Sequence, residues 1–130
     1  FDFSFSGLKT SLLYKHKEMI NREEPINVAD LAASYQEAIV DSLIDRIIKV
    51  VNYTGINTIS IAGGVAANSR FRYKSNKILL SENINFYFPK MEYCTDNAAM
   101  IAFTAFQKST NKTYSPLNQA AKPNLSLSDV

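Results

Sequence analysis

The chain of 130 residues contains a single histidine, His16, and a single cysteine, Cys94. One cysteine excludes a disulfide framework within the chain and is typical of proteins in a reducing compartment. One histidine excludes any metal site that needs two imidazoles from this chain, including the zinc-peptidase helix with paired histidines. The sequence also lacks any stretch of about 18 apolar residues, so it predicts no transmembrane helix.

The net charge of the chain is also small. The chain has 14 basic and 12 acidic residues, and its net charge of +2 is too small to indicate a nucleic-acid-binding protein from bulk electrostatics. Apolar residues make up 46% and charged residues 20% of the chain, which is typical of one globular domain. The sequence starts at Phe1, and Phe1, Phe3 and Phe5 alternate with polar residues. This alternation predicts the end of a half-buried strand or an extended segment. The start at Phe1 and not at Met suggests a shortened chain, a cleavage product or a fragment of a longer protein.

From residue 28 onward the pattern predicts alternating helices and short strands. Asn27 can cap a long helix over residues 28–53, and Gly55 is suited to end it. Two short strands joined by one helix are expected to be parallel, which makes the fold a helix-rich α/β class. The predicted helices cover residues 7–20, 28–53, 67–80 and 96–107, the predicted strands cover residues 58–62 and 84–88, and a polar, mostly irregular tail is expected over residues 109–130.

Two features of this pattern predict that further strands or helices cover these elements. The helix at residues 96–107 is apolar almost all round, so we expect it to be buried on most sides. Two parallel strands are too few to cover these helices, because parallel sheets normally have more strands and both faces covered. The sequence therefore predicts an exposed strand edge, completed by residues upstream of Phe1 or by another chain, which is also a route to self-association.

Gly63 and Gly64 end the first strand and are followed by Asn68 at the start of a helix. Ligands of open α/β sheets bind at the carboxyl ends of the strands, and two glycines let a ligand approach the backbone closely. An asparagine amide can both donate to and accept from a sugar or base. This pattern indicates a nucleotide-binding turn. The alternative is that the glycines only make a tight turn and Asn68 only caps a helix.

Asp96 follows the second strand and is expected at the same sheet edge, where its carboxylate could bind a metal ion. The alternative is that Thr95 or Asp96 is the N-cap of the last helix. Cys94 is interpreted as a small buried residue.

Residues 63–81 contain no acidic residue and four basic ones: Arg70, Arg72, Lys74 and Lys77. Arg70, Lys74 and Lys77 have the spacing of one helix face, which could bind phosphates of a nucleotide or of RNA or could simply be a solvated face.

Four blocks of the sequence, in order, resemble one known family. They are FDFSFSGLKT at residues 1–10, ASYQEAIVDSLIDR at 33–46, IAGGVAANSRFR at 61–72 and YCTDNAAMIA at 93–102. Together they resemble the tRNA threonylcarbamoyladenosine biosynthesis transferase family, formerly described as an O-sialoglycoprotein endopeptidase or glycoprotease. The resemblance covers the chain up to about residue 105, and it implies that residues 1–108 are a C-terminal-lobe fragment of a two-lobed actin/Hsp70/sugar-kinase-like ATPase fold.

The resemblance implies an activity and a set of site residues. The family transfers a threonylcarbamoyl group from threonylcarbamoyl-adenylate to the adenosine that follows the anticodon of tRNAs. Gly63, Gly64 and Asn68 match residues that line the adenylate pocket, and Asp96 matches a ligand of one iron or zinc ion. No catalytic residue is assigned. The implied partners are tRNA, a paralogous subunit and a small ATPase, in the cytoplasm.

This sequence departs from the family in one respect. The family's other metal ligands are two histidines four residues apart in an N-terminal lobe, and His16 is the only histidine here. We therefore expect the chain alone to be inactive and to hold metal weakly. A non-catalytic scaffold of the same fold and, with less support, a metallo-glycoprotease are the alternative functions.

Overall fold

The computed structural model describes residue 1 and residues 3–120. The chain divides into two compact units, Phe1–Thr95 and Asp96–Val130. The first unit contains helix α1 (Phe5–Asn21), helix α2 (Val28–Thr54), strand β1 (Thr58–Ser60), a 3-10 turn (Gly64–Ala67), helix α3 (Ser69–Ser81), strand β2 (Asn85–Tyr87) and a second 3-10 turn (Met91–Tyr93), and the second unit contains helix α4 (Ala98–Thr110). Because α4 runs to Thr110, the first two residues of the predicted irregular tail are helical. The domain boundary after residue 108 stays a prediction, and residues 121–130 of that tail lie outside the described residues.

Helix α1 begins earlier than predicted. Ser4 is its N-cap, and the Oγ atom of Ser4 accepts a hydrogen bond of 3.2 Å from the backbone N–H of Gly7. The hydroxyl of Thr10 donates to the carbonyl oxygen of Ser6 within the helix. No strand forms before α1 among the described residues, because the cap at Ser4 starts a helix at Phe5. The alternative of an extended segment holds at Ser4, whose φ is −115° and ψ is 104°.

Helix α2 confirms the sequence prediction at both ends. The Oδ1 atom of Asn27 accepts hydrogen bonds from the backbone N–H groups of Ala29 (3.1 Å) and Asp30 (3.4 Å). Gly55 ends the helix in the left-handed conformation, with φ of 73°, and its N–H donates to the carbonyl oxygen of Val51. The 27 residues of α2 make a helix about 40 Å long. None of the helices in the described ranges is both long and apolar enough to cross a bilayer.

Strands β1 and β2 pair in parallel, as predicted from the single helix that joins them. Their register places Thr58, Ile59 and Ser60 opposite Asn85, Phe86 and Tyr87. Both strands are shorter than predicted, although two more hydrogen bonds flank the paired residues, from the N–H of Ile61 to the carbonyl oxygen of Tyr87 at 2.9 Å and from the N–H of Asn85 to the carbonyl oxygen of Asn57 at 2.8 Å. Within the described residues each strand has one neighbour, so the expectation of a short two-stranded sheet is met.

The hydrophobic core lies between one face of this sheet and the helices α2 and α3. Ile59 and Phe86, at the centres of the strands, pack against it, while the flanking residues of both strands are exposed. The buried residues of the core are Val40, Ile44, Phe71, Leu79 and Ile84. The core thus holds the loops that follow β1 and β2 at one edge of the sheet.

Helix α4, in the second unit, starts two residues later than predicted. Asn97 is its N-cap and accepts a 3.1 Å hydrogen bond from the N–H of Met100. The interpretation of Thr95 or Asp96 as the cap was wrong. No residue of α4 is buried, and Ile101 and Phe103 are exposed, so the expected burial on most sides is not met within the described residues.

Candidate functional site

The turn after β1 has a glycine whose backbone conformation only glycine adopts readily. Gly63 has φ of 86° and ψ of 176°, and its carbonyl oxygen accepts a 2.9 Å hydrogen bond from the N–H of Ala66. Gly64 lacks a positive φ, and a Cβ atom built on it would meet no atom within 4 Å. Neither backbone strain nor packing explains the glycine at position 64. A glycine in open space at a turn is typical of a site where a ligand approaches the backbone.

A pocket of about 440 Å³ lies beside this turn, and both glycines line it. Its other walls come mainly from apolar residues of α2, such as Leu43 and Ile47, and from β1. Arg46 supplies the only cationic side chain of the lining. Its Nε atom is buried and has no hydrogen-bond partner among the residues that the structure describes. The pocket therefore offers an apolar surface, a glycine backbone and one cationic residue in its lining.

Asn68 is the N-cap of α3, as the alternative interpretation predicted. Its Oδ1 atom accepts a 2.9 Å hydrogen bond from the N–H of Phe71, and its Nδ2 atom donates to Oε1 of Gln36 on α2 at 3.3 Å. These bonds use one acceptor and one donor position of the amide, and one of each is left. Asn68 does not line the 440 Å³ pocket. The structure thus brings Gly63 and Gly64 together at the pocket and places Asn68 at the start of the next helix.

Two of the basic residues of α3, Arg70 and Lys74, pair with carboxylates of α2, whereas Lys77 is exposed. Arg70 makes a two-pronged pair with Glu37 of α2, with Nε 2.7 Å from Oε2 and Nη2 2.8 Å from Oε1. Lys74, whose side chain is only 16% exposed, pairs with Glu37 and with Asp41. Two of the three residues on the predicted phosphate-binding stripe are thus already paired with carboxylates, and they join α2 to α3.

These ion pairs shift the ionisation of their members. Hydrogen bonds from Arg70 and then from Lys74 lower the pKa of Glu37 from 4.5 to about 2. The hydrogen bond to Asp41, followed by the one to Glu37, raises the pKa of Lys74. The hydrogen bond to Glu37 also raises the pKa of Arg70. All of these groups are therefore held in their charged forms near neutral pH.

The sequence pattern placed Arg72 only among the four basic residues of residues 63–81 and gave it no role of its own. Its Nε atom donates to the carbonyl oxygen of Ala66 at 2.6 Å, and its Nη2 atom donates to the carbonyl oxygen of Pro89 at 2.6 Å. The same Nη2 atom lies 3.3 Å from Sγ of Cys94, and the guanidinium lies 4.7 Å from the centre of the Phe88 ring. Cys94 is buried, as predicted. Arg72 therefore joins the loop after β1 to the loop after β2.

Asp96 lies at the start of the second unit, exposed and two residues before α4. No group of three or more His, Cys, Asp or Glu residues comes together to hold a metal ion in the described ranges of the chain. A single carboxylate is not a complete ligand set, so these residues do not by themselves fit a resident metal ion. The predicted convergence of Asn68 and Asp96 on one cleft stays a prediction.

Comparison with known proteins identifies the family of the chain. A model of the tRNA N6-adenosine threonylcarbamoyltransferase family, TsaD, matches residues 1–103. The chain belongs to this family. Proteins with the name tRNA N6-adenosine threonylcarbamoyltransferase are 47% identical to it over 127 residues in Kosmotoga olearia and 42% identical over 130 residues in Synechocystis. These alignments cover 98% and 100% of this chain.

The match to the TsaD family covers only part of each relative. The chain spans 37% of the length of both proteins and 38% of a relative from Thermotoga neapolitana that is 41% identical to it. Residues 1–103 include the glycine turn, the pocket, Arg72 and Asp96, so all of the candidate site lies in the matched region. The match fits the prediction of a C-terminal portion of such a protein.

Proposed function

We propose that this chain is the C-terminal part of a transferase that moves a threonylcarbamoyl group from threonylcarbamoyl-adenylate to the adenosine that follows the anticodon of tRNAs. The observation that carries this proposal is the pocket beside Gly64, an open glycine within the region that matches the TsaD family. Its volume is within the usual range of small-molecule sites, about 300–1,000 Å³.

In this proposal the pocket and turn hold the nucleotide part of the adenylate. The apolar walls from α2 and β1 suit a flat base, and the backbone at Gly63 and Gly64 admits close approach of the ligand. Arg46 is the cationic residue of the lining and is proposed to lie near the phosphate of the adenylate. Asn68 uses its remaining donor and acceptor positions for a sugar or base. The task of these residues is binding and orientation of the acyl donor.

Asp96 is proposed as one oxygen ligand of a single iron or zinc ion. Because the described residues do not complete a ligand set, the remaining ligands must come from outside them, and no step of the reaction is assigned to the ion. We therefore expect the chain alone to bind metal weakly and to lack turnover. Metal analysis of the purified chain tests this, and a stoichiometric, tightly held ion with turnover would overturn it.

The implied partners are also part of the proposal. They are the tRNA substrate, an N-terminal lobe, a paralogous subunit and a small ATPase, with the cytoplasm as the location. The free edges of β1 and β2 are the proposed route to self-association. Arg70 and Lys74 are charge-paired with α2, so we do not place the tRNA contact on that helix face.

The test is a transfer assay on the full gene product with synthetic threonylcarbamoyl-adenylate and a tRNA that reads codons beginning with A. Modified adenosine is measured by mass spectrometry of digested tRNA. We expect Asp96→Ala to abolish transfer with an unchanged circular dichroism spectrum. Glu92→Ala, which removes another exposed acid from the first unit, is the matched control and should retain transfer. A parent protein without transfer refutes the proposed function, and an active Asp96→Ala variant removes Asp96 from the site.

A further inference from the structure

The segments that follow β1 and β2 are joined by one side chain. The segments at residues 63–68 and 89–94 each have local backbone hydrogen bonds, such as Ala66 to Gly63 and Cys94 to Met91. The bond from Ile61 to Tyr87 lies before both segments, and no backbone hydrogen bond joins the two segments to each other within the described residues. Their separation is therefore not set by the strand ladder.

Arg72 makes this connection with four contacts. Its Nε and Nη2 atoms each donate to a carbonyl oxygen at 2.6 Å, one in each segment, and Nη2 also lies 3.3 Å from Sγ of Cys94. The ring of Phe88 lies under the guanidinium at 4.7 Å. We call this set of contacts the Arg72 bridge. Hydrogen bonds from a charged donor are about twice as strong as neutral ones, so the bridge is a strong polar link between the two segments.

The geometry requires arginine and not only a positive charge. The guanidinium is planar and carries its donors in a rigid fork, so Nε and Nη2 reach two acceptors at the same time. A lysine at position 72 would keep the charge but has a single nitrogen on a flexible stem. Both acceptors are backbone carbonyl oxygens, so the bridge fixes main-chain positions and leaves the neighbouring side chains free for ligands.

We propose that Arg72 is a positioning residue of the transferase. The Arg72 bridge sets the distance between the glycine turn and the segment that ends two residues before Asp96 in the sequence, and so holds both segments in the arrangement that the reaction needs. This inference rests on the proposed function. It assigns Arg72 no contact with the substrate.

The first measurement tests the Arg72 bridge independently of the transfer reaction. Cys94 is 2% exposed and touches Arg72, so its alkylation by iodoacetamide reports opening of the second segment. Arg72→Lys keeps the charge and is expected to raise the labelling rate about tenfold, because local protection falls as hydrogen bonds are lost. Arg70→Lys is the matched control on the same helix, since Arg70 pairs with Glu37 and, within the described residues, has no hydrogen bond or ion pair to either segment. The control should label at the parent rate.

The second measurement is the rate of threonylcarbamoyl transfer by the full gene product. A displacement of about 1 Å can cost about 100-fold in rate, so Arg72→Lys is expected to lower kcat by about 100-fold, with a smaller change in KM. Arg70→Lys should keep the parent kcat. Should Arg72→Lys fail to fold, Phe88→Leu removes the ring under the guanidinium and is expected to shift both readouts in the same direction by less.

The possible outcomes test the bridge, the positioning role and the proposed function separately. Unchanged labelling of Cys94 in Arg72→Lys overturns the bridge, and faster labelling with a parent kcat overturns the positioning role. A parent protein without transfer refutes the proposed function instead, and the labelling rates then decide on the bridge alone.

Discussion

Replacing Asn68 by serine and by alanine separates its capping role from its proposed contact with the adenylate. The Oδ1 atom caps α3 through Phe71, and the Nδ2 atom bonds to Gln36 at 3.3 Å. Alanine removes both interactions. Losing an N-cap costs about 1 kcal/mol, and losing the partly exposed amide bond costs about 0.5 kcal/mol. Serine is a good N-cap, so it should lose only the second contribution.

These two losses of unfolding free energy set the expected changes in Tm. For a chain of this size about 1 kcal/mol corresponds to roughly 4 °C in Tm, so Asn68→Ala should lower Tm by about 6 °C and Asn68→Ser by about 2 °C. Tm is measured by circular dichroism at 222 nm. If the amide contacts the adenylate, Asn68→Ser should also lose about tenfold in transfer by the full gene product.

Asn27→Ser is the matched control, because Asn27 caps α2 in the same way and belongs to no proposed site. It should retain transfer with a similarly small change in Tm. Equal losses of Tm in Asn68→Ser and Asn68→Ala would refute the capping argument. Transfer by Asn68→Ser at the level of the Asn27→Ser control would remove Asn68 from the adenylate site.

Three further predictions concern stability. Glu37 has its pKa lowered from 4.5 to about 2 in the folded chain, so it stabilises the fold above about pH 5 and this contribution is lost as pH falls towards 2. Urea midpoints of Glu37→Gln should therefore depend less on pH in that window than those of the parent, and identical pH profiles would contradict the shift. Gly63→Ala should cost about 1–3 kcal/mol because of its positive φ, whereas Gly64→Ala should change stability by less than about 1 kcal/mol, and equal losses would contradict the argument. Leu79→Ala should cost about 3–5 kcal/mol because Leu79 is fully buried, and the neighbouring, exposed Leu80 replaced by alanine should cost little in the same urea experiment.

The parts of the fold that depend on local patterns were predictable. Helix α2 was placed within one residue because Asn27, its long apolar face and Gly55 all act within a few residues of one another. The parallel pairing of β1 and β2 followed from the helix between them. The start of α1 was mispredicted because alternating phenylalanines suggested a strand, while the deciding contact was a single hydroxyl at Ser4.

The long-range contacts were not predictable from sequence. Arg70 and Lys74 were grouped as a phosphate-binding or solvated stripe, because their partners on α2 are more than 30 residues away. Arg72 carried no sequence pattern, because its main acceptors are backbone carbonyl oxygens, which every residue has. The glycine turn was found because a strand end next to two glycines is a local pattern, whereas the pocket beside it depends on the packing of α2.

The long helix α2 has a consequence for how this family can change over time. Gln36 touches the cap of α3, Glu37 and Asp41 pair with α3, and the stretch from Leu43 to Ile47 walls the pocket. Inserting one residue between Asp41 and Leu43 would rotate one group by about 100° relative to the other. Homologous genes should therefore vary along this helix by substitution, and insertions or deletions should accumulate before Val28 and after Gly55 instead.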